Sequence, residues 1–315
     1  MPAAERELMG RFPGADQLAL LLSLAAGSQW LGCGRDSRAR GLIQHSSLPG
    51  RLRLAWLGGQ AKLLARGDID AHRRIEAADG VAIDVWVIRA RNVPRERPRG
   101  TVLFVHGLWD SKARMYRPGQ RLADRGFDVV LPDLRSHGRS GGTCSTFGAL
   151  EAGDLKSVMD ALADEGLIHG QIHVVGFSMG GGIAVQYAAA DPRCRGVLAL
   201  APVASARRIM KRMLLVRAPL AGKAEIDATI DRAGELGGFD IDAASAVACA
   251  DRLRCPLIVA HGRCDLTVPP SHGRDIFEAA QVPKKLILVP FVGHNSLLFG
   301  RTGWIADQID WLDGR

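Results

Sequence analysis

The chain has 315 residues, of which 47% are hydrophobic and 23% are charged, and it carries a formal net charge of +8. This length is sufficient to bury one large core, and the absence of long polar repeats argues against a largely disordered protein. Because the arginines are spread along the whole chain without interleaved aromatic residues, the sequence predicts no nucleic-acid binding; anionic lipid headgroups or anionic substrates are better partners for this charge.

The N-terminal segment contains an apolar run, residues 18–27, which has the length of a signal peptide and is too short for a permanent membrane span. Residues 31–33, Leu-Gly-Cys, follow it, and this arrangement resembles a bacterial lipoprotein signal in which Cys33 is acylated. In that interpretation residues 1–33 are a signal and anchor, residues 18–33 associate with the membrane, and the protein lies in the cell envelope. In the alternative, the run is an N-terminal helix that packs on the domain of a cytoplasmic protein. The sequence leaves both interpretations open.

A β-hairpin is predicted where residues 75–77 and the alternating residues 81–87 flank an Asp79-Gly80 turn. The regular pattern that starts there continues to the end of the chain. We therefore divide the chain into an N-terminal extension, residues 1–72, and a single domain, residues 73–315.

Short apolar runs alternate with helical stretches through the rest of the domain. The runs are Thr101–Val105, Phe127–Leu131, Ile172–Gly176, Gly196–Ala201, Pro256–Ala260 and Lys285–Val289. Strands of near-continuous Val, Ile and Leu that are separated by helices predict a parallel sheet buried on both faces. The interval from about 203 to 253 breaks this rhythm and predicts a helical cap that covers the strand ends and shapes the substrate pocket. A peripheral helical layer without a binding role is the alternative.

Ser178 lies in the motif Gly176-Phe177-Ser178-Met179-Gly180, which joins an apolar strand to a predicted helix. A serine at such a strained turn projects its hydroxyl above the sheet, and the flanking glycines avoid collision with the neighbouring strand and helix. The backbone N–H of Met179 then lies at the helix N-terminus, where it can stabilise an oxyanion. The sequence therefore predicts Ser178 as a nucleophile and Met179 as an oxyanion donor.

A second match to the same motif, residues 138–142, contains Ser140. No predicted strand enters this match directly and no predicted helix leaves it. We therefore interpret Ser140 as a loop residue on the substrate side and not as the nucleophile.

The acid and the base that a serine nucleophile requires follow it in the chain. Asp265 comes shortly after the apolar run that ends at Ala260, and His294 comes shortly after the run that ends at Val289. Both residues therefore lie at the carboxyl ends of predicted parallel strands, where Ser178 also lies and where such sheets gather their ligands. The sequence predicts that these three side chains meet.

The second oxyanion donor is expected in the loop after the first parallel strand, residues 105–109. We assign this role to the N–H of Leu108, with that of Trp109 as the next candidate. The side chains of Trp109 and Ser140 are placed in the substrate pocket. His106 in the same loop is interpreted as a structural histidine that braces it.

Together, these motifs resemble the α/β-hydrolase family, and most closely its bacterial esterase, monoacylglycerol-lipase-like and serine-aminopeptidase-like branches. The residues that carry the resemblance are His106-Gly107, residues 133–140, residues 176–180, Asp265 and Gly293-His294. The resemblance covers the chain from about residue 73 to its end. It implies the α/β-hydrolase fold, with a mostly parallel eight-stranded sheet flanked by helices and a short helical cap, and hydrolysis without a cofactor or metal.

The predicted function is cleavage of a carboxylic ester, or a related acyl bond, in a small-molecule substrate through a Ser-His-Asp triad and an acyl-enzyme. One alternative is a serine peptidase or amidase acting on small peptides, in which Glu225, Asp227 and Asp231 of the predicted cap would bind the substrate amine. The other alternative is a hydrolase fold that binds a ligand without catalysis. The sequence makes no prediction of acyl length or oligomeric state.

Overall fold

A computed structural model of the chain describes residues 34–44, 67–298 and 302–314. The apolar segment 18–33 lies outside these residues, so both interpretations of it stay predictions. Within the described ranges, no helix is both long enough and apolar enough to cross a membrane.

One sheet of eight strands forms the centre of the fold. Its strands are β1 (Ala71–Glu76), β2 (Ala82–Ile88), β3 (Thr101–Val105), β4 (Asp128–Pro132), β5 (Ile172–Phe177), β6 (Cys194–Leu200), β7 (Leu257–Gly262) and β8 (Lys284–Val289). They are arranged in the order β1-β2-β4-β3-β5-β6-β7-β8. β1 pairs antiparallel with β2, β2 pairs antiparallel with β4, and all other neighbours are parallel. The predicted mostly parallel sheet is confirmed, and the predicted hairpin accounts for its antiparallel edge.

Helices pack on both faces of this sheet. They are α1 (Arg35–Ile43), α2 (Lys112–Ala123), α3 (Glu151–Asp164), α4 (Met179–Ala190), α5 (Ala206–Arg217), α6 (Lys223–Gly237), α7 (Val247–Ala250), α8 (Pro270–Ala279) and α9 (Thr302–Leu312), with a 3₁₀ turn at Asn295–Leu297. Val102 and Phe104 of β3 belong to the core that contains residues of α2 and α9, whereas Leu103 and Val105 belong to the core that contains residues of α3 and α4. Because successive strand residues alternate between faces, both faces of β3 are buried.

Helix α1 belongs to the predicted N-terminal extension, yet it packs on the domain. Its Leu42 and Ile43 side chains are fully buried. The Arg38 guanidinium pairs with the Glu225 carboxylate of α6 at 2.8 Å, and the Ser145 N–H donates to the Ile43 carbonyl at 2.8 Å. At least this part of the extension is therefore attached to α6, which lies in the segment of three helices, α5 to α7, that connects β6 to β7.

A buried lysine connects the start of α2 to two strands. Lys112 is fully buried, and its ammonium contacts the carboxylates of Asp84 in β2 and Asp133, which follows β4. The ammonium also lies 4.9 Å from the centre of the Trp86 ring. Burial alone would raise the pKa of Asp84, but Lys112 and His72 more than offset this, so the pKa is lowered. Because α2 follows the loop at residues 106–111, this ion cluster also fixes the end of that loop.

Replacement of Lys112 with methionine is expected to destabilise the protein strongly, since it leaves two buried carboxylates without their shared cation. We expect a loss of about 3–5 kcal/mol in the free energy of unfolding, which corresponds to a drop of roughly 10 °C in Tm. Lys156→Met is the matched control, because the pair between Lys156 and Asp160 is solvent-exposed and such pairs contribute at most about 1 kcal/mol. Differential scanning calorimetry of both variants measures the difference; equal melting temperatures would contradict this account.

Candidate active site

Ser178 occupies the sharp turn between β5 and α4. Its backbone has φ 58° and ψ −119°, a conformation that is strained for a residue with a side chain and costs about 1–3 kcal/mol. Backbone hydrogen bonds hold the turn: the Ser178 N–H donates to the Leu200 carbonyl at 2.8 Å, and the Ser178 carbonyl accepts from Val203 N–H at 3.0 Å. The strain is therefore maintained by the ends of β5 and β6.

The flanking glycines are required by close backbone contacts. A Cβ atom at Gly176 would overlap the Gly180 carbonyl, and one at Gly180 would overlap the carbonyl oxygens of Val105 and His106. Both overlaps are with backbone atoms, which cannot rotate away. This is the collision with the adjacent strand and helix that the sequence motif predicts.

The structure brings Ser178, His294 and Asp265 into one hydrogen-bonded series. Nε2 of His294 lies 2.9 Å from Oγ of Ser178, and Nδ1 of the same ring lies 2.6 Å from Oδ2 of Asp265. The exposed fractions of the three residues are 8%, 7% and 3%, respectively. An ionised carboxylate only accepts, so Nδ1 carries the imidazole proton and Nε2 is left to accept the hydroxyl proton of Ser178.

Asp265 stays ionised because several donors surround its buried carboxylate. Oδ1 accepts from the N–H groups of Thr267 and Val268, each at 2.9 Å. Burial would raise the pKa of Asp265, but hydrogen bonds from His261 and His294 outweigh it and lower the pKa to about 2. The carboxylate therefore carries a full negative charge beside the His294 ring at neutral pH.

His261 is a neighbour of Asp265 that the sequence motifs do not predict as part of the site. It is fully buried at the end of β7, and its Nε2 lies 3.3 Å from Oδ2 of Asp265 and 2.8 Å from the Val268 carbonyl oxygen. Because both neighbours are oxygen acceptors, Nε2 carries a proton and donates to them. Its position four residues before Asp265 at a strand end was the available sequence signal.

The loop after β3 lies directly against Ser178. A Cβ built on Gly107 would be 3.2 Å from the Cβ of Ser178. The Trp109 N–H donates to Nε2 of His137 at 3.3 Å, which leaves the half-buried Leu108 as the better of the two predicted loop donors. Met179 is the first residue of α4, so its N–H has no acceptor within the helix. Both predicted oxyanion donors, Leu108 and Met179, are thus carried on segments that adjoin Ser178.

Two buried histidines hold this loop in place. The Leu134 N–H donates to Nε2 of His106 at 3.0 Å, and Nδ1 of His106 donates to the Gly107 carbonyl at 2.8 Å. The rings of His106 and His137 are in edge contact, with centroids 5.1 Å apart. Burial lowers the pKa of both histidines, so they stay neutral supports of the loop at neutral pH.

Ser140, the serine of the second match to the motif, has a different set of neighbours. Its hydroxyl donates to the Asp133 carbonyl at 2.6 Å and accepts from the Asp84 N–H at 2.8 Å. These bonds tie its loop to β2 and to the end of β4. They use the hydroxyl for structure, and none of them joins Ser140 to Ser178 or His294.

Arg114 supports the site from α2, although no sequence motif marks it. Its guanidinium lies 5.2 Å from the centre of the Phe177 ring and donates to Oδ1 of Asn295 at 3.0 Å. It also pairs with the Asp110 carboxylate at 3.1 Å; burial raises the pKa of Asp110 to about 6, although Arg114 opposes the increase. Phe177 precedes Ser178 and Asn295 follows His294, so one guanidinium contacts the neighbours of both.

Two clefts among the described residues lie at the other end of the sheet. One of about 390 Å³ is lined by residues that include Asp70, Arg89 and His169, and His169 precedes β5 whereas Ser178 follows it. Ligands of such sheets bind at the carboxyl ends of the strands, so these clefts are not the candidate site. Among the described residues, no group of three or more His, Cys, Asp or Glu side chains is arranged to hold a metal ion.

Comparison with known proteins adds four similarities. A family model described as serine aminopeptidase, S33, matches residues 96–235, a range that includes Ser178 and ends before Asp265. The protein YfhR of Escherichia coli K12 is 25% identical over 230 residues, covering 72% of this chain and 74% of that protein. A monoacylglycerol lipase of Mycolicibacterium smegmatis is 31% identical over 146 residues, covering 45% and 50% of the respective chains. An esterase structure from Pyrococcus furiosus has a TM-score of 0.60 at 23% identity, covering 77% of this chain and 89% of that chain, a likeness in fold.

Proposed function

We propose that this chain, which is similar to hydrolases of the α/β-hydrolase family, uses Ser178, His294 and Asp265 as a catalytic triad and cleaves a carboxylic ester. The observation that supports this most is the hydrogen-bonded series from the Ser178 hydroxyl through the His294 ring to the Asp265 carboxylate. Its members come from loops after three different strands, and the order of their roles matches that of a serine hydrolase.

The proposed reaction begins when Nε2 of His294 removes the hydroxyl proton and Oγ of Ser178 attacks the acyl carbon. The negative charge of Asp265 stabilises the imidazolium that forms. The N–H groups of Leu108 and Met179 would donate to the developing oxyanion, with a contribution of about 3–4 kcal/mol for each donor. His294 then protonates the leaving alcohol, and water, activated by the same ring, hydrolyses the acyl-enzyme. No step requires a cofactor.

The acidic residues of the cap favour an ester over a peptide substrate. An aminopeptidase needs a free carboxylate to bind the substrate ammonium, and Glu225 and Asp231 were candidates for it. Glu225 instead pairs with Arg38 and Asp231 with Arg207, each at 2.8 Å. Two of the three candidate carboxylates are therefore neutralised by arginines of this chain.

Parallel assays distinguish ester from amide hydrolysis. We expect turnover of p-nitrophenyl butyrate, and no turnover of aminoacyl-naphthylamides beyond that of a Ser178→Ala control, because the cap offers a substrate ammonium little uncompensated negative charge. Aminoacyl-naphthylamide turnover above p-nitrophenyl butyrate turnover, lost in Ser178→Ala, would replace the esterase proposal with a peptidase. An inactive wild type in both assays would reject a catalytic function for these bonds.

A further inference from the structure

Exposed apolar side chains are concentrated around the candidate site. Eight large hydrophobic residues are exposed among the described residues. Six of these lie on four segments, namely the loops after β3, β7 and β8 and the end of α5 with the residues that follow it. We call these six the rim; it consists of Trp109, Leu215, Val216, Leu220, Leu266 and Phe291. Leu220 is 96% exposed and Phe291 is 80% exposed. A concentration of this kind on a folded protein marks a surface that binds something apolar.

The segments that carry the rim are joined by direct contacts. The Arg217 guanidinium at the end of α5 lies 5.1 Å from the centre of the Trp109 ring. Arg212 of α5 donates to the Leu266 carbonyl, and the Cys264 N–H donates to the Val292 carbonyl at 3.0 Å. Helix α5 therefore connects the loop after β3 to the loop after β7, which is in turn bonded to the loop after β8. The rim therefore lies on the loops that carry Leu108, Asp265 and His294 and on the helix that is joined to them.

The charge beside the rim is positive. Helix α5 contains five basic residues and no acidic residue. Arg207 and Arg208 are paired with aspartates, whereas Lys223, which opens α6 shortly after Leu220, and Arg263, shortly before Leu266, are exposed. An apolar surface bordered by exposed cations is complementary to a bilayer that contains anionic lipids, where headgroups meet the cations and acyl chains meet the apolar residues.

We propose that the rim docks on the surface of an anionic lipid bilayer and presents the candidate active site to esters held in that surface. The presentation of the site to esters rests on the proposed function, whereas the docking on the bilayer does not. A second copy of this chain is a poorer occupant, because a two-fold interface would place the same basic helix against itself. Docking of this kind also gives the exposed Leu220 and Phe291 an apolar environment that the described residues of the chain do not provide.

The test uses the full chain and sedimentation with vesicles of phosphatidylcholine alone or mixed with phosphatidylglycerol. We expect stronger binding to the mixed vesicles, weakened about tenfold by Leu220→Ser through the loss of buried apolar area. We also expect roughly tenfold weakening by Lys211→Glu, which reverses a charge on α5. Leu150→Ser and Lys156→Glu, exposed residues on the α3 side of the domain, are matched controls that should bind as the wild type does. Every variant keeps the N-terminal apolar segment, so any contribution of this segment to vesicle binding is equal in all of them.

Three results would overturn the docking proposal: equal binding to the two kinds of vesicle, wild-type binding by Leu220→Ser and Lys211→Glu, or a dimer in analytical ultracentrifugation that Leu220→Ser dissociates. Vesicle binding does not depend on turnover, so the two proposals fail separately. Soluble p-nitrophenyl butyrate should be hydrolysed equally by wild type and Leu220→Ser. Absence of this turnover with vesicle binding intact would reject the esterase and leave the docking in place.

Discussion

Replacement of Ser178 with alanine is expected to lower kcat for p-nitrophenyl butyrate by about 10⁴- to 10⁶-fold, because the variant has no hydroxyl to form the acyl-enzyme. Labelling by a fluorophosphonate probe should disappear, since the probe bonds covalently to an activated serine oxygen. His294→Ala should produce a loss of similar size, because His294 and Ser178 act as one unit and the hydroxyl is a weak nucleophile without its base. Steady-state kinetics and labelling followed by gel fluorescence measure both effects.

Ser140, the serine of the second match to the motif, provides the control for this experiment. Ser140→Ala should still be labelled by the probe, since the Ser140 hydroxyl is bonded to Asp133 and Asp84 and not to His294. We expect this variant to lose stability instead, by about 1–3 kcal/mol, because the Asp84 N–H is left without its acceptor. Labelling that survives Ser178→Ala and is lost in Ser140→Ala would exchange the assigned roles of the two serines.

Much of the fold could be predicted from the sequence because its signals are local and repeated. Apolar runs of strand length separated by helical stretches indicate a parallel sheet, and an Asp79-Gly80 turn marks the antiparallel edge. The candidate triad could also be predicted, since residues at the carboxyl ends of parallel strands meet at one edge even when Ser178 and His294 are far apart in the chain. In both cases the arrangement follows from strand direction alone.

What could not be predicted depends on the direction of individual side chains. His261 contacts Asp265 and Arg114 contacts Asn295, but no spacing rule states where a histidine at a strand end or an arginine in a helix points. The packing of α1 is a similar case, since its partner α6 lies far along the chain and only three apolar residues of α1, Ala39, Leu42 and Ile43, are buried. Ser140 is the opposite case. The motif is present in the sequence, but no strand leads directly into it and no helix directly follows it, so it does not indicate a nucleophile.

Replacement of Asp265 with asparagine is the second large expected effect, a fall in kcat of about 10⁴-fold. The asparagine amide can donate to Nδ1 of His294, and this would move the ring proton to Nε2, where it faces the Ser178 hydroxyl. The base would then be in the wrong tautomer to accept a proton. His261→Phe is the matched comparison, because it removes one donor to the same carboxylate while the contact of Asp265 with His294 remains. About a tenfold loss is expected there, the cost of one hydrogen bond.

Asp265 should also make the free energy of unfolding depend on pH. Its pKa is lowered to about 2 in the folded protein from 3.8, so the unfolded chain binds the proton more tightly. The contribution of Asp265 is then fully present above about pH 4, where it amounts to about 2 kcal/mol, and it is lost as the pH falls toward 2. In urea unfolding, the wild type should exceed Asp265→Asn in stability by about this amount at pH 7, with the gap narrowing below pH 4. Two results together would mean that Asp265 does not orient the base. These are a stability difference between wild type and Asp265→Asn that is constant with pH, and a loss of kcat in Asp265→Asn no larger than that in His261→Phe.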